Sequence, residues 1–362
     1  KMEFYDGSLW QEITDTASTY SPGLIPVANF NTVEYEGNGG ADSVNVGFKS
    51  ELTWIKGKDT TGKWNVWYDI VRGATNMIAS NSNSAAVTYG SVTPTLTGFD
   101  IGSASAGDLN SNGETYVSWN WKAGGTPTVS NPFIINNVGY ANASAASLNT
   151  GNSTPSGASI NTQTGLSIIH VTTSAGSAYT VSHGLGIKPA LTIWKRIDAS
   201  EDWYVYLSDD LFNQGDYLVL NGTGSIANDT GAGAFTTTVM PQPTSGVKEY
   251  IAYTFASITG YSKIGFYVGN GSVTGPEIYT GFKPAWLLIR RYDSGDNWLV
   301  FDNKRNTSNP RNLALVPNNN AAESVGNLGQ GFSFVSTGFQ VASSDSGVNA
   351  SGGKFIYMTF AE

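Results

Sequence analysis

Apolar and polar residues alternate in short runs along most of the chain, most clearly in residues 115–123, TYVSWNWKA. Successive side chains of a strand leave opposite faces, so Tyr116, Ser118 and Asn120 point one way and Val117, Trp119 and Trp121 the other. One face is expected to be core and the other to meet solvent or a neighbour. The same pattern returns as EYIAYTFAS at 249–257 and KFIYMTFAE at 354–362. A second stretch also recurs. Residues 47–68, GFKSELTWIKGKDTTGKWNVWY, reappear without a gap as GIKPALTIWKRIDASEDWYVYL (186–207) and GFKPAWLLIRRYDSGDNWLVFD (281–302). In each copy a Gly-apolar-Lys corner leads into an apolar run that ends on Lys56, Lys195 or Arg290. Asp59, Asp198 or Asp293 opens a polar turn, and Trp64, Trp203 or Trp298 opens the return strand. Asp suits the turn because its side chain bonds the backbone two residues on, and the Trp, Val and aromatic residues that follow favour a pleated, half-buried surface. The spacing predicts one strand-turn-strand unit used three times.

Other landmarks repeat around that hairpin. MIASNSNS (77–84) is echoed by YLVLNGTG (217–224) and LALVPNNN (313–320), and TGFDIGS (97–103) by TGFQVAS (337–343). Short strands separated by Gly, Asn and Ser argue a sandwich or jelly-roll unit. The expected fold is all-β: three tandem antiparallel β-sandwich or jelly-roll-like repeats at 31–123, 165–260 and 261–362. An N-terminal arm, 1–30, precedes them, with Trp10 and Tyr20 as anchors and Ser21-Pro22-Gly23 as a breaker. Residues 124–164 form a crossover, expected to be ordered because NPFIINNVGY carries an apolar run that a linker does not need. Repeats two and three join tightly across 257–265. If Trp64, Trp203 and Trp298 are equivalent buried residues, and contacts in a repeat array are local, removing any one is expected to destabilise its own repeat alone, unless the 257–265 junction couples repeats two and three.

Composition narrows the function. The net charge is −9 and the pI near 4.7, so the clustered cations that give sequence-independent nucleic-acid affinity are missing. Neither nucleic acid nor an anionic membrane is an expected partner. Without Cys there is no disulfide, thiolate metal site or cysteine nucleophile. No stretch approaches the roughly 20 apolar residues of a membrane span, and the first residues lack the basic-then-apolar order of a signal peptide. A start on Lys1 instead of Met reads as a processed or trimmed product.

Candidate chemistry is sparse. Residues 107–114, GDLNSNGE, place Asp108, Asn110, Asn112 and Gly113 in the order of a calcium loop. The twelfth position, which should supply a bidentate Glu, is Trp119, so a hairpin turn is expected and no metal. Of the two histidines, His183 in VSHGLG reads as a turn cap, and no local motif unites either with a Ser and an acid. Glu201 and Asp202 fall in a hairpin tip expected to be exposed and solvated. Trp64, Trp203, Trp298, Trp121, Phe255 and Phe360 sit at repeated positions and are expected in the core. Trp67, Tyr204 and Trp286 are not shared among repeats and are the candidate ligand contacts, since flat aromatic faces stack on sugars, although a sandwich core is the commoner fate of such residues. No cofactor and no catalytic residue is expected.

The phrases GFKPAWLLIRR, YTVSHGLGIKPALTIWKR, FYVGNGS and GGKFIYMTFAE, together with the NNVGYANASAASL crossover, resemble an uncharacterised repeat family found in virion proteins of tailed marine and cyanobacterial phages. The resemblance covers about residues 31–362 and carries no agreed activity. It implies a non-enzymatic protein on the exterior of a phage particle, a tail fibre or receptor-binding component contacting host glycan. The alternatives are a capsid decoration or head fibre and, in a different class, a surface-polysaccharide depolymerase. Other virion subunits and copies of the chain itself are the expected protein partners. Ser50, where the other repeats have Pro189 and Pro284, departs from the family pattern.

Overall fold

The computed structural model describes residues 3–5, 10–12, 23–102, 107–176, 179–243, 246–324 and 331–362. Tyr20, Ser21, Pro22 and the Trp10 side chain, expected to shape the arm, lie outside the described residues. What is described is all-β and sandwich-like. In every repeat an opening strand (Phe30–Glu36, Leu166–Thr172 or Ser262–Val268) pairs with the closing strand (Thr115–Trp121, Glu249–Phe255 or Lys354–Ala361). The closing strand pairs in turn with the first hairpin strand (Leu52–Gly57, Leu191–Arg196 or Pro284–Arg291). The return strands Asn65–Asp69, Tyr204–Leu207 and Leu299–Asp302 extend these sheets. A smaller cover sheet packs on one face, with three strands in repeats one and three and two in repeat two. The crossover is built of strands: Pro155–Asn161 lies beside the opening strand of repeat two, and Phe133–Ile135 pairs parallel to it.

Beyond their first residues, neither face of the closing strands meets solvent. Tyr116 and its partners fill a core under the cover sheet, while Val117, Trp119 and Trp121 enter a central core shared by all three repeats. That core also receives Leu191, Trp203, Tyr253 and Phe255 from repeat two, and Trp286, Trp298, Met358 and Phe360 from repeat three. Phe30, placed in the arm by sequence, is the first residue of an opening strand and stacks on Phe360 at 4.8 Å. The repeats therefore form a closed ring around one core instead of an open array.

The ring closes through hydrogen bonds made three times over. The amide of Glu201 donates to the carbonyl of Asn83 (2.8 Å), Asp296 to Thr223 (3.0 Å) and Gly62 to Asn320 (2.8 Å). In the reverse sense Ala86 donates to Ile197 (3.0 Å), Ile226 to Tyr292 (2.8 Å) and Glu323 to Lys58 (2.6 Å). Each hairpin tip thus docks on the preceding repeat, and the tip of repeat one docks on repeat three. The tip holding Glu201 is accordingly not the solvated turn expected from sequence. The Glu201 carboxylate accepts from Lys248 Nζ (2.8 Å) and the Tyr250 hydroxyl (3.0 Å), and Asp202 accepts from Asn221 Nδ2 (2.8 Å).

Trp64 is not equivalent to Trp203 and Trp298, contrary to the sequence pattern. Trp203 and Trp298 are 0% and 3% exposed, and their indoles donate to the carbonyls of Ala79 (3.0 Å) and Val219 (2.9 Å) in the preceding repeat. Trp64 is 37% exposed. The turn of the first hairpin is one residue longer: Asn65 faces Lys56, whereas Tyr204 faces Trp194 and Leu299 faces Ile289, which sets Trp203 and Trp298 opposite Lys195 and Arg290. Asn65 therefore takes the third inward position, and its Nδ2 donates to the carbonyl of Val316 (3.2 Å). The return strand of repeat one is therefore one residue out of step with the gapless sequence match.

Candidate functional site

The two-strand cover of repeat two leaves part of its large sheet bare, and tyrosines occupy the gap. Tyr204 faces Trp194 across the hairpin, in the register that Val66 and Leu299 hold in the other repeats. Tyr217 corresponds likewise to Met77 and Ala314. Those four counterparts are buried beneath third cover strands, Val92–Pro94 and Phe332–Val335. Repeat two has no such strand among the described residues, so Tyr204 and Tyr217 are only half-buried. An amphipathic ring suits that condition, since its body packs while its hydroxyl stays wet.

The result is an open depression of about 320 Å³ lined by Tyr204, Tyr206, Tyr217, Asn228, Asp229 and Thr230. The rings of Tyr204 and Tyr217 meet nearly at right angles, 5.5 Å apart. The Tyr206 hydroxyl donates to Asp229 Oδ2 (2.8 Å), and the Gly231 amide to Oδ1 (3.1 Å). Asn228 Nδ2 donates to Asp216 Oδ1 (2.8 Å). Burial, with Glu201 and Asp202 adding to it, pushes the Tyr204 phenol up to about 12, so at neutral pH it is a hydrogen-bond donor as well as an acceptor. Ring faces beside a fixed carboxylate and an amide can hold a neutral polyhydroxylated ligand.

Of the sequence candidates, Tyr204 alone reaches this surface. Trp67 and Trp286, expected as ligand contacts, are 2% and 1% exposed in the central core. Trp67 stacks on Trp54 at 4.6 Å, and Trp286 meets Trp121 at 5.8 Å. Neither indole can touch a ligand. The weak calcium loop holds the fold together. Residues Gly107–Asn110 form one helical turn in place of the expected hairpin turn. Asp108 accepts from the Trp64 amide (2.7 Å) and the Tyr89 hydroxyl (2.8 Å), while Asn110 Oδ1 accepts from the Asn38 amide (2.9 Å). Asn349 repeats that contact with Asn270 in repeat three (2.8 Å). No group of three His, Asp or Glu that could hold a metal occurs among the described residues.

His183 caps its turn: Nδ1 accepts from the Leu185 amide (3.1 Å), and Nε2 lies 3.2 Å from the carbonyl of Thr236. Burial pushes this imidazole down to about 4 from its ordinary 6.5. Between those pH values the unfolded chain binds a proton that the folded chain refuses. Stability is therefore full above about pH 6.5 and falls as pH drops through the window, by up to about 3 kcal/mol for a shift of this size. Urea unfolding at pH 7 and pH 4.5 checks this. The fall is expected to shrink in His183→Asn, and an unchanged fall would assign it to other groups.

Tyr217, Asn228 and Asp229 were missed from sequence. The available signal was Tyr217 itself, a tyrosine at a repeat position otherwise held by Met77 and Ala314. No curated protein and no solved structure matches the chain. The model of one family, described as a domain of unknown function (DUF7483), matches it twice, over residues 26–139 and 135–362, and the chain belongs to that family.

Proposed function

We propose that this chain is a virion protein that binds host glycan, an adsorption component of a tail fibre or receptor-binding assembly. The observation that carries the reading is the tyrosine-lined depression of repeat two, formed where the other two repeats place a third cover strand. A closed ring offers a stiff platform for such a site, because residues on ordered strands are held more closely than residues on loops. The repeat phrases that resemble phage virion proteins supply the setting.

Stacking against one aromatic ring contributes about 0.5–1.5 kcal/mol, close to tenfold in affinity at its upper end. Tyr204→Ala and Tyr217→Ala are each expected to weaken binding to host surface polysaccharide by about three- to tenfold while leaving the melting temperature nearly unchanged. Binding by calorimetry to polysaccharide stripped from host cells is the measurement. Equal affinity in both variants would remove the depression from adsorption. Mass spectrometry of purified particles tests the setting, and a particle without this chain would end the virion reading. Gold label on the head instead of the tail would favour a decoration or head-fibre role.

A further inference from the structure

Ser156, His170 and Glu249 form a hydrogen-bonded row across three neighbouring strands of repeat two, on the sheet face opposite the tyrosines. Ser156 Oγ lies 3.1 Å from His170 Nδ1, and His170 Nε2 lies 2.7 Å from Glu249 Oε1. A carboxylate only accepts, so Nε2 carries the proton and Nδ1 of the neutral ring is left as an acceptor facing the serine hydroxyl. Ser156 Oγ is also 3.2 Å from the His170 carbonyl, the competing acceptor. The pairing register is irregular between Pro155 and Gly157, and such bulges re-aim a side chain. Ser156 is exposed there, at the edge of a groove of about 700 Å³ walled by Val71, Pro94, Pro127 and Pro132. Lys49 and Arg72 line the same groove, and His170 with Glu249 continues into an adjoining hollow of about 330 Å³.

The other two repeats act as internal controls. Glu34 and Phe266 occupy the register of His170, each opposite the residue equivalent to Ile251. Thr115 and Lys354 occupy the register of Glu249. In both repeats the large sheet ends at the opening strand among the described residues, so no described strand supplies a serine there. The architecture is satisfied without this row, and only the crossover strand completes it.

We infer that the row is a nucleophile, base and orienting carboxylate for cleaving small acyl esters, an activity separate from glycan binding. A hydroxyl within reach of a base that a third group orients is the signature of an activated nucleophile. Ser156 Oγ attacks the acyl carbon as its proton passes to His170 Nδ1. The bond from the acyl carbon to the leaving oxygen breaks, and that oxygen takes the proton from Nδ1. Water then adds to the acyl-serine, giving its proton to Nδ1, which returns it to Oγ as the carboxylic acid leaves. Net, ester and water become acid and alcohol. The Lys49 ammonium, which lines the same groove, favours the negative charge that develops on the carbonyl oxygen.

The test uses the full chain with a fluorophosphonate probe and with p-nitrophenyl acetate, read by peptide mapping and by released p-nitrophenol. A single phosphonyl adduct on Ser156 is expected, absent in Ser156→Ala. His170→Phe, which installs the residue that repeat three carries at this register, is expected to slow both reactions by about 10²- to 10⁴-fold with its fold intact by circular dichroism. Glu249→Gln is expected to slow turnover by up to about 10⁴-fold, with partial recovery in Glu249→Asp. A folded wild type without an adduct on Ser156, or turnover unchanged in Ser156→Ala, would overturn the assignment whatever the outcome for glycan binding.

Discussion

Replacing Trp286 by alanine is expected to destabilise all three repeats together, by about 3–5 kcal/mol, in a single cooperative transition. Trp286 belongs to repeat three, yet its ring lies 5.9 Å from Phe30, 6.5 Å from both Trp54 and Trp119, and 5.8 Å from Trp121, all in repeat one. Its remaining aromatic partner, Phe360 at 5.7 Å, links it to its own closing strand. A cavity there removes packing from several sheets at once, and the surrounding strands are too well tied by the ring of hydrogen bonds to collapse into it. Urea unfolding followed by far-ultraviolet circular dichroism and by hydrogen exchange of the three closing strands measures the effect. Protection is expected to fall equally in Thr115–Trp121, Glu249–Phe255 and Lys354–Ala361. Loss confined to residues 284–302 would mean that the repeats are independent. Trp286→Phe is a useful control. The Trp286 Nε1 proton has no acceptor among the described residues, so phenylalanine keeps an aromatic ring in place and removes a buried unsatisfied donor, which itself costs about 1–3 kcal/mol. That variant is expected to lose much less.

The strand pattern was legible because alternation and turn chemistry are local. The hairpins, the closing strands, the inward Trp121, Phe255 and Phe360, and the capping His183 all follow from residues near one another in sequence. Ring closure was not legible. The bonds between Gly62 and Asn320 and between Glu323 and Lys58 join backbone atoms, which leave no trace in side-chain identity. The same closure explains why Trp67 and Trp286, candidate ligand contacts by sequence, lie in the core. Leu52, Leu191 and Trp286 hold one register position in the three repeats, and Trp54, Ile193 and Leu288 hold another. In an open array each position fills its own core and should keep a similar size. In a closed core three unequal side chains share one space, so a Trp in one repeat is accommodated by smaller residues in the others. A residue unique to one repeat is then no evidence of exposure. Tyr204 and Tyr217 differ in the physical reason: among the described residues no third strand covers them, and a sequence gives no direct sign of a strand that is missing.

The second large effect is expected from Arg305→Ala, at about 3–5 kcal/mol. Arg305 and Asp302 are paired at 2.6 Å with both side chains 0% exposed. The guanidinium also donates to Glu323 Oε1 (2.7 Å) and to the carbonyl of Val300 (3.0 Å), while Asp302 accepts from Trp119 Nε1 of repeat one (3.1 Å). Repeat one builds the same device from Asp69 and Arg72, with the Tyr253 hydroxyl of repeat two donating to Asp69 (2.7 Å). Repeat two has Leu207 in the register of Asp69 and Asp302, and Met358 stands where Trp119 and Tyr253 offer their donors. Two of three equivalent junctions are therefore ionic and the third is apolar, so the fold does not need the charges as such. Truncating Arg305 alone is severe because it leaves a carboxylate buried without its cation. Asp302→Leu with Arg305→Ala removes both charges and copies the leucine of repeat two, so its cost is expected to fall well below the sum of the single variants. Urea unfolding of the wild type, both single variants and the double variant forms the cycle. A strictly additive result would mean that the two charges act separately and that Arg305 contributes through packing against the Trp119 ring, which its guanidinium carbon approaches to 5.7 Å.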